Sequence, residues 1–409
     1  MNIDADIAIA GGGLNGPTLA LALARCGLSV ALIDAQPPRS RGGAAFDGRA
    51  YALSIASVRL LGGLGLWPAL AADSQPMLQV KASQGQPGEG AAPFFLHFDS
   101  AEIEEGPVGH MIEDRFLYRA LLDGVEATPA ITHLPGSEVT AQDTRDGQVC
   151  VTLSDGRRIT ARLLVGADGR SSGVARRAGI RRQGWDYGQM ALVAPIAHAR
   201  PHQGIAHQYF MPTGPLAILP LPGNRSSIVW SETRSAAQAI AALDAAGFMA
   251  VVRPRFGDFL GDLTLAGPRF SYPLSLSLAE EYVRPRVALV GDAAHGVHPI
   301  AGQGLNLGLR DVAALAETLV DAARRGEDIG ALDVLERYQV WRRFDATSLA
   351  LGMDAVNRLF ATGNPAVAAM RGLGMGVVSA IGPLRRGFMR QAAGLSVDPM
   401  PRLLAGQPL

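Results

Sequence analysis

Hydrophobic positions along the chain fall into two kinds of pattern. Near the N-terminus, DIAIA (residues 6–10) and LSVALID (residues 28–34) are short continuous apolar runs, the pattern of strands buried on both faces of a parallel sheet. Between them, LNGPTLALALARCG (residues 14–27) predicts a helix stopped at Gly27. Strand, helix and strand make a βαβ unit, the opening of a doubly wound sheet. The same strand style returns in LLVGADG (residues 163–169) and VALVGDAAH (residues 287–295). DRFLYRALLDGV (residues 114–125) has helical apolar spacing, and QVCVTLSDGRRITARLLVGADG (residues 148–169) predicts a hairpin at Asp155-Gly156 followed by a strand ending at Asp168.

From about Gln183 to Pro273 the pattern changes to short alternating segments such as PLAILPLPGNRSSIVWSE, which predict a separate antiparallel sheet. Residues 85–93 are polar and rich in glycine and proline, and read as a loop or excursion. Beyond the strand at residue 287 the chain is mostly helical. Neither an internal repeat nor a low-complexity tract is evident.

Composition narrows the picture. The 409 residues are 48% apolar and 18% charged, which permits a large core, and 37 basic residues balance 37 acidic ones. A neutral chain does not suggest a nucleic-acid binder. The two cysteines, Cys26 and Cys150, lie in regular apolar stretches without CxxC spacing, so buried packing is the expected role rather than zinc or disulfide. The start, MNIDADIAIAGGG, carries acids where a secretion signal carries positive charge, and no run reaches the roughly 18 apolar residues of a membrane span. The expected setting is reducing and cytoplasmic.

Three motifs carry candidate chemistry. Gly11-x-Gly13-x-x-Gly16 follows the first strand and opens the first helix. Gly11 permits the tight turn, Gly13 lets backbone approach a pyrophosphate, and Gly16 lets helix and strand close. Asp34, ending the next strand, stands where an acid takes a ribose hydroxyl and repels a phosphorylated ribose. GADGRSS (residues 166–172) delivers Asp168 to a turn that, alone, reads as an ordinary Asp-Gly turn. VGDAAH places Asp292 at the carboxyl end of a buried strand, where ligands of open α/β sheets bind. HPIAGQGLNLGLRD (residues 298–311) then supplies a second polar, glycine-rich loop opening onto a helix near Leu305. Its converging N–H groups and helix dipole suit a ring edge that becomes anionic on reduction.

Together these motifs resemble the aromatic-ring hydroxylase class of FAD monooxygenases. HPIAGQGLNLGLRD is similar to the signature of the ubiquinone-biosynthesis hydroxylases, with every characteristic position filled. FDGRAYALS and HMIEDRFLYRALL resemble the same subfamily, although Asp114 stands where that group usually has asparagine. The likeness spans the chain to about Gly352.

The resemblance implies a para-hydroxybenzoate-hydroxylase-like α/β fold. A Rossmann-like FAD-binding domain (1–75, 100–182 and 274–345) would hold an inserted antiparallel-sheet substrate domain (76–99 and 183–273), followed by a C-terminal helical region (346–409). Gly11, Gly13 and Gly16 would hold the pyrophosphate and Asp34 the adenosine ribose. Arg49 and Arg115 would reach the ribityl and phosphate region, and Asp168 would support the cofactor. Asp292 would bind the ribityl chain, and Gly302, Gln303, Gly304 and Asn306 would face the isoalloxazine. One extended FAD then explains both glycine loops. Electrons would come from transient NAD(P)H or from a protein donor, since only one complete GxGxxG unit exists. O2 would be the co-substrate, activated as a flavin C4a-hydroperoxide and delivered to the ring of a polyprenylated phenol in ubiquinone biosynthesis. Two other readings remain open: a related flavoprotein acting on another hydrophobic substrate, and a non-catalytic FAD-binding subunit of a quinone-biosynthesis complex. The absence of a WxWxIP-like run argues against a halogenase.

No catalytic base is assigned. His207 and Tyr209 fall in the expected substrate sheet, with packing or surface roles preferred for each. His295 and His298 have the spacing of a metal pair, but no acid or cysteine ligand accompanies them, and no metal is expected. GLGMG (residues 372–376) reads as helix packing. In the tail, AMRGLGMGVVSAIGPLRRGFMRQ (residues 369–391) sets an apolar segment between arginines. It would either lie peripherally on an anionic inner-membrane surface or pack on the body or a partner subunit.

Overall fold

The structure is a computed structural model that describes residues 3–37, 48–86, 88, 90–145, 147–361, 374 and 376–409. Four neighbouring strands, Ala5–Ala10, Val30–Asp34, Ile131–Pro135 and Arg158–Gly166, run parallel, and Val287–Leu289 extends the row beside the last of them. The register aligns their carboxyl ends: Ala10 pairs with Gly166 and Ile33, and Gly166 with Leu289. The loops after Ala10, Asp34, Gly166 and Leu289 therefore open along one edge.

The helix Asn15–Ala24 is buried from Gly16 to Ala24 without an exposed stripe, as expected of a helix covered on all sides. It packs on the strand Val30–Asp34 and on the helix Gly304–Arg324. The predicted hairpin and following strand are one element. Arg158–Gly166 pairs antiparallel with Gln148–Leu153 through its first half and parallel with Val287–Leu289 through its second. Alternation in the first half and a continuous apolar run in the second reflect this change of neighbours.

A second sheet contains Gln79–Gln86, Gly90–Asp99, Arg182–His198, Ile205–Met211, Gly214–Leu221, Arg225–Thr233 and Phe270–Ala279. Within residues 183–273 the strand pairs are antiparallel, as expected, and the sheet becomes mixed where Ile205–Met211 pairs parallel with Gln79–Gln86. Of residues 85–93, expected as a loop or excursion, Gly85 pairs with Ala91 and Gln86 with Gly90, so the polar stretch is the end of a hairpin at the edge of the sheet.

Cys26 and Cys150 are half-buried; Cys26 packs against the main core as expected, whereas Cys150 does not. Cys150 alternates with fully buried Val149 and Val151, so it takes the outer face of its strand, where Arg158 Nε donates to Sγ at 3.2 Å. The C-terminal region is helical over Leu332–Ala361 and Gly382–Ala392. Of GLGMG, only Gly374 and Gly376 lie within the described residues.

Candidate active site

The first βα turn depends on four glycines, one more than the spacing motif names. Gly11 has φ +121°, and a Cβ there would stand 2.2 Å from the Ala167 carbonyl oxygen. A Cβ on Gly16 would meet the Gly11 carbonyl oxygen at 1.9 Å. Gly12 faces the next strand: a Cβ would lie 2.1 Å from the Asp34 carboxylate. Asp34 itself is buried and accepts the Gln36 N–H at 3.0 Å. Gly13 lines a large cavity.

Asn15, at the start of the helix, was missed by the spacing argument although it lies within GGGLNG. Its side chain is wedged between Gly291 and Gly308, where added Cβ atoms would come within 2.1 and 2.5 Å of its amide nitrogen. Its Oδ1 is buried and has no hydrogen-bond partner among the described residues, and the residue lines the cavity. A buried orphan acceptor beside a glycine turn is what a bound polar ligand would satisfy.

The Asp-Gly motif and the Gly-Asp motif meet. Asp168 accepts from Ser172 Oγ at 2.5 Å and from the Val174 N–H at 3.0 Å, so its carboxylate caps the short helix Gly173–Arg177. The residue that enters the cavity is Arg170. Its Nε donates to Asp292 Oδ2 at 3.1 Å and its Nη2 to the Val297 carbonyl at 3.2 Å. Arg182 holds the Asp292 carbonyl at 3.0 Å and also bonds that of Ala293.

The second glycine loop is latched by Asn306. Its Oδ1 accepts the Ser54 N–H at 2.9 Å and Ser57 Oγ at 2.8 Å, and its Nδ2 donates to the carbonyls of Ala52 at 2.8 Å and Gly302 at 3.2 Å. Gly302 takes the left-handed conformation, φ +62°, with its Cβ position 3.2 Å from that of Ala52. Among the described residues no side chain caps the start of the helix Gly304–Arg324, which leaves backbone N–H groups for an acceptor. Gly302, Gln303, Gly304 and Asn306 all line the cavity.

Arg49 also lines it and stands 3.8 Å from Asp114, so the acid found where asparagine is usual is matched by a cation. Arg115 does not line the cavity; its Nε donates to the buried Glu113 carboxylate at 2.7 Å. His207 lines the cavity, and burial, then Lys81, pushes its pKa down to about 4. Tyr209 is buried 6.0 Å from the His207 ring, and burial raises its phenol pKa. His298 is 1% exposed; among the described residues neither ring nitrogen has a hydrogen-bond partner, and the ring makes an edge-on contact to Tyr187 at 5.1 Å. Burial first, then Arg170, lowers its pKa to about 4. His295 instead gives Nε2 to Asp311 at 2.5 Å, so the two histidines do not share a ligand. Among the described residues no group of three or more His, Cys, Asp or Glu is placed for a metal.

The cavity measures about 1530 Å3. It runs from Gly13 and Asn15 past Arg170 and Asp292 to Gly302–Asn306, and continues between apolar residues including Val80, Phe98, Leu219 and Phe210. Gln391 and Ala392 of the C-terminal helix complete the wall by the glycine loop. An extended dinucleotide fits this arrangement: glycine backbone and a helix start at each extremity, the orphan amide oxygen of Asn15 at the first, and the Arg170–Asp292 pair between.

A family described as an FAD binding domain matches residues 4–348. The chain is 48% identical to a ubiquinone hydroxylase named UbiL from Rhodospirillum rubrum, over 99% of this chain and 94% of that one. It is 37% identical to the 3-demethoxyubiquinol 3-hydroxylase of Escherichia coli, over 96% and 100%. It is 30% identical to the human mitochondrial ubiquinone biosynthesis monooxygenase COQ6, over 95% and 92%. The crystal structure of p-nitrophenol 4-monooxygenase PnpA from Pseudomonas putida shares the fold, with a TM-score of 0.80 at 19% identity, over 97% and 99% of the two chains. The chain belongs to the FAD-binding monooxygenase family, among its ubiquinone-biosynthesis hydroxylases.

Proposed function

We propose that this protein hydroxylates the aromatic ring of a polyprenylated phenol during ubiquinone biosynthesis, with one FAD extended from the first βα turn to the second glycine loop. The observation that carries the reading is the single cavity that touches both Gly13–Asn15 and Gly302–Asn306 and then continues as an apolar chamber. Gly11, Gly12, Gly13 and Gly16 bring backbone to the pyrophosphate, with Asp34 at the adenosine ribose. Asp292, paired with Arg170, takes the ribityl side, and Arg49 faces the same space. Arg115 serves through Glu113. FAD, when bound, supplies the redox chemistry and the oxygen activation.

The protein's own part is to bind, orient and shield. Uncapped N–H groups at Gly304 favour negative charge at the ring end. The apolar chamber takes the substrate's hydrophobic portion and keeps water out, limiting release of reduced oxygen. In this reading the mixed sheet is the substrate domain. The donor is NAD(P)H in transit or a protein partner. Arg385 and Arg390 pair with Glu102 and Glu105 on the body, which supports docking of the tail there, while Ile381, Leu384 and Phe388 remain exposed for a membrane or partner surface.

The test is turnover of the FAD-loaded protein with a reductant, a polyprenylphenol and 18O2. One 18O atom in the ring product is expected. Flavin that reduces and reoxidises without labelled product defeats the hydroxylase reading, and an unchanged quinone profile after deletion in the host defeats the pathway assignment.

A further inference from the structure

The last residue of HPIAGQGLNLGLRD has no part in the cavity. We propose that Asp311 is a positioning residue: shared among the Gly291 N–H, the His295 ring and the Arg342 guanidinium, its carboxylate fixes where Asp292 is presented to the flavin. The proposal rests on the reading of Asp292 as a residue of the flavin side.

Asp311 is fully buried. Its Oδ2 accepts the Gly291 N–H at 2.9 Å and His295 Nε2 at 2.5 Å; its Oδ1 accepts Arg342 Nε at 2.8 Å. Gly291 and His295 bracket Asp292, so one carboxylate grips both ends of the turn that carries it. Arg182 holds the turn's carbonyls at Asp292 and Ala293. Between these two grips the Asp292 side chain is left to meet Arg170 in the cavity.

The anchor is tied in turn. Arg342 donates to Asp345 at 2.6 Å, Asp345 lies 3.3 Å from Arg310, and Arg310 Nη2 reaches the Gln391 carbonyl at 3.4 Å. Arg310 and Arg342 are both buried. Burial alone would raise the Asp311 pKa, but His295 and Arg342 outweigh it and hold that pKa below the ordinary value. An ionised carboxylate in a dry site makes hydrogen bonds that are directional and costly to break.

The experiment uses the full chain stripped of flavin and compares affinity for FAD with affinity for ADP, which touches only the Gly11–Gly16 and Asp34 end. Asp311→Asn and His295→Ala are expected to weaken FAD about tenfold or more while leaving ADP within about twofold. His295→Gln, which keeps a donor for Asp311, is expected to recover most of the loss. Unchanged FAD affinity in both variants, or equal losses for FAD and ADP, overturns the proposal. If Asp311→Asn does not fold, the His295 pair decides alone: equal FAD affinity in the Ala and Gln variants overturns it. A wild-type chain that binds ADP but not FAD refutes the flavin reading instead.

Discussion

Arg170 and Asp292 come from two motifs 122 positions apart and meet with 3.1 Å between Nε and Oδ2. The register that aligns Gly166 with Leu289 brings their loops together. Arg170→Met should lower FAD affinity several-fold and Arg170→Lys less, since the lysine keeps the charge but loses the second bond to the Val297 carbonyl. Flavin fluorescence titration reads the difference. Because both side chains are partly exposed, the effect on unfolding should be small.

Gly12 tests the adenosine end. Gly12→Ala puts a methyl 2.1 Å from the carboxylate of the buried Asp34. The expected result is protein purified largely without flavin and destabilised by about 2 kcal/mol or more. Flavin absorbance per protein and a thermal melt check both.

Asn306 separates packing from hydrogen bonding. Asn306→Asp is isosteric, yet it points a carboxylate oxygen at the carbonyls that Nδ2 now serves, Ala52 and Gly302. It should be at least as damaging as Asn306→Ala. Each buried group left unpaired costs about 1–3 kcal/mol. Urea unfolding of the two variants gives the order; a milder aspartate would contradict the latch.

His207 and His298, the histidines lowered furthest, set an acid-side pH dependence. Their folded pKa values are about 4, against an ordinary 6.5. As pH falls through 6.5 the unfolded imidazoles take up protons and the folded ones do not, so stability should fall between pH 6.5 and about 4. For His298, nearly inaccessible, the contribution is on the order of 3 kcal/mol. His298→Asn should flatten the slope of stability against pH in that window, measured by urea unfolding.

Met389 pins the C-terminal helix. It is fully buried against Ile55, Ile103 and Val108. Met389→Ala should cost about 2–4 kcal/mol of local stability and speed proteolytic cleavage within Gly382–Ala392. Global unfolding should shift less, since the main core lies elsewhere.

Part of this site is legible from local rules. Gly11, Gly13 and Gly16 follow from what a βα turn requires, and Asp34 and Asp292 from their places at strand ends. Gly12, Asn15 and Arg170 lay inside the quoted motifs yet had no reason visible there. Gly12 is small because of Asp34, Asn15 fits because Gly291 and Gly308 make room, and Arg170 matters because Asp292 faces it. Asn306 lines the cavity, and its amide also holds the loop to residues 52–57, a second role that no local pattern shows.

The order of apolar runs and breakers determined the parallel strands, the buried first helix and the two glycine loops, because backbone geometry and burial act over a few residues. Only the tertiary structure decided that the second sheet contains a parallel pair, that Arg385 and Arg390 are taken up by Glu102 and Glu105, and that Asp311 reaches back to Gly291. Those outcomes depend on which distant groups the packed chain brings within hydrogen-bond reach, and no local period in the sequence records such a distance.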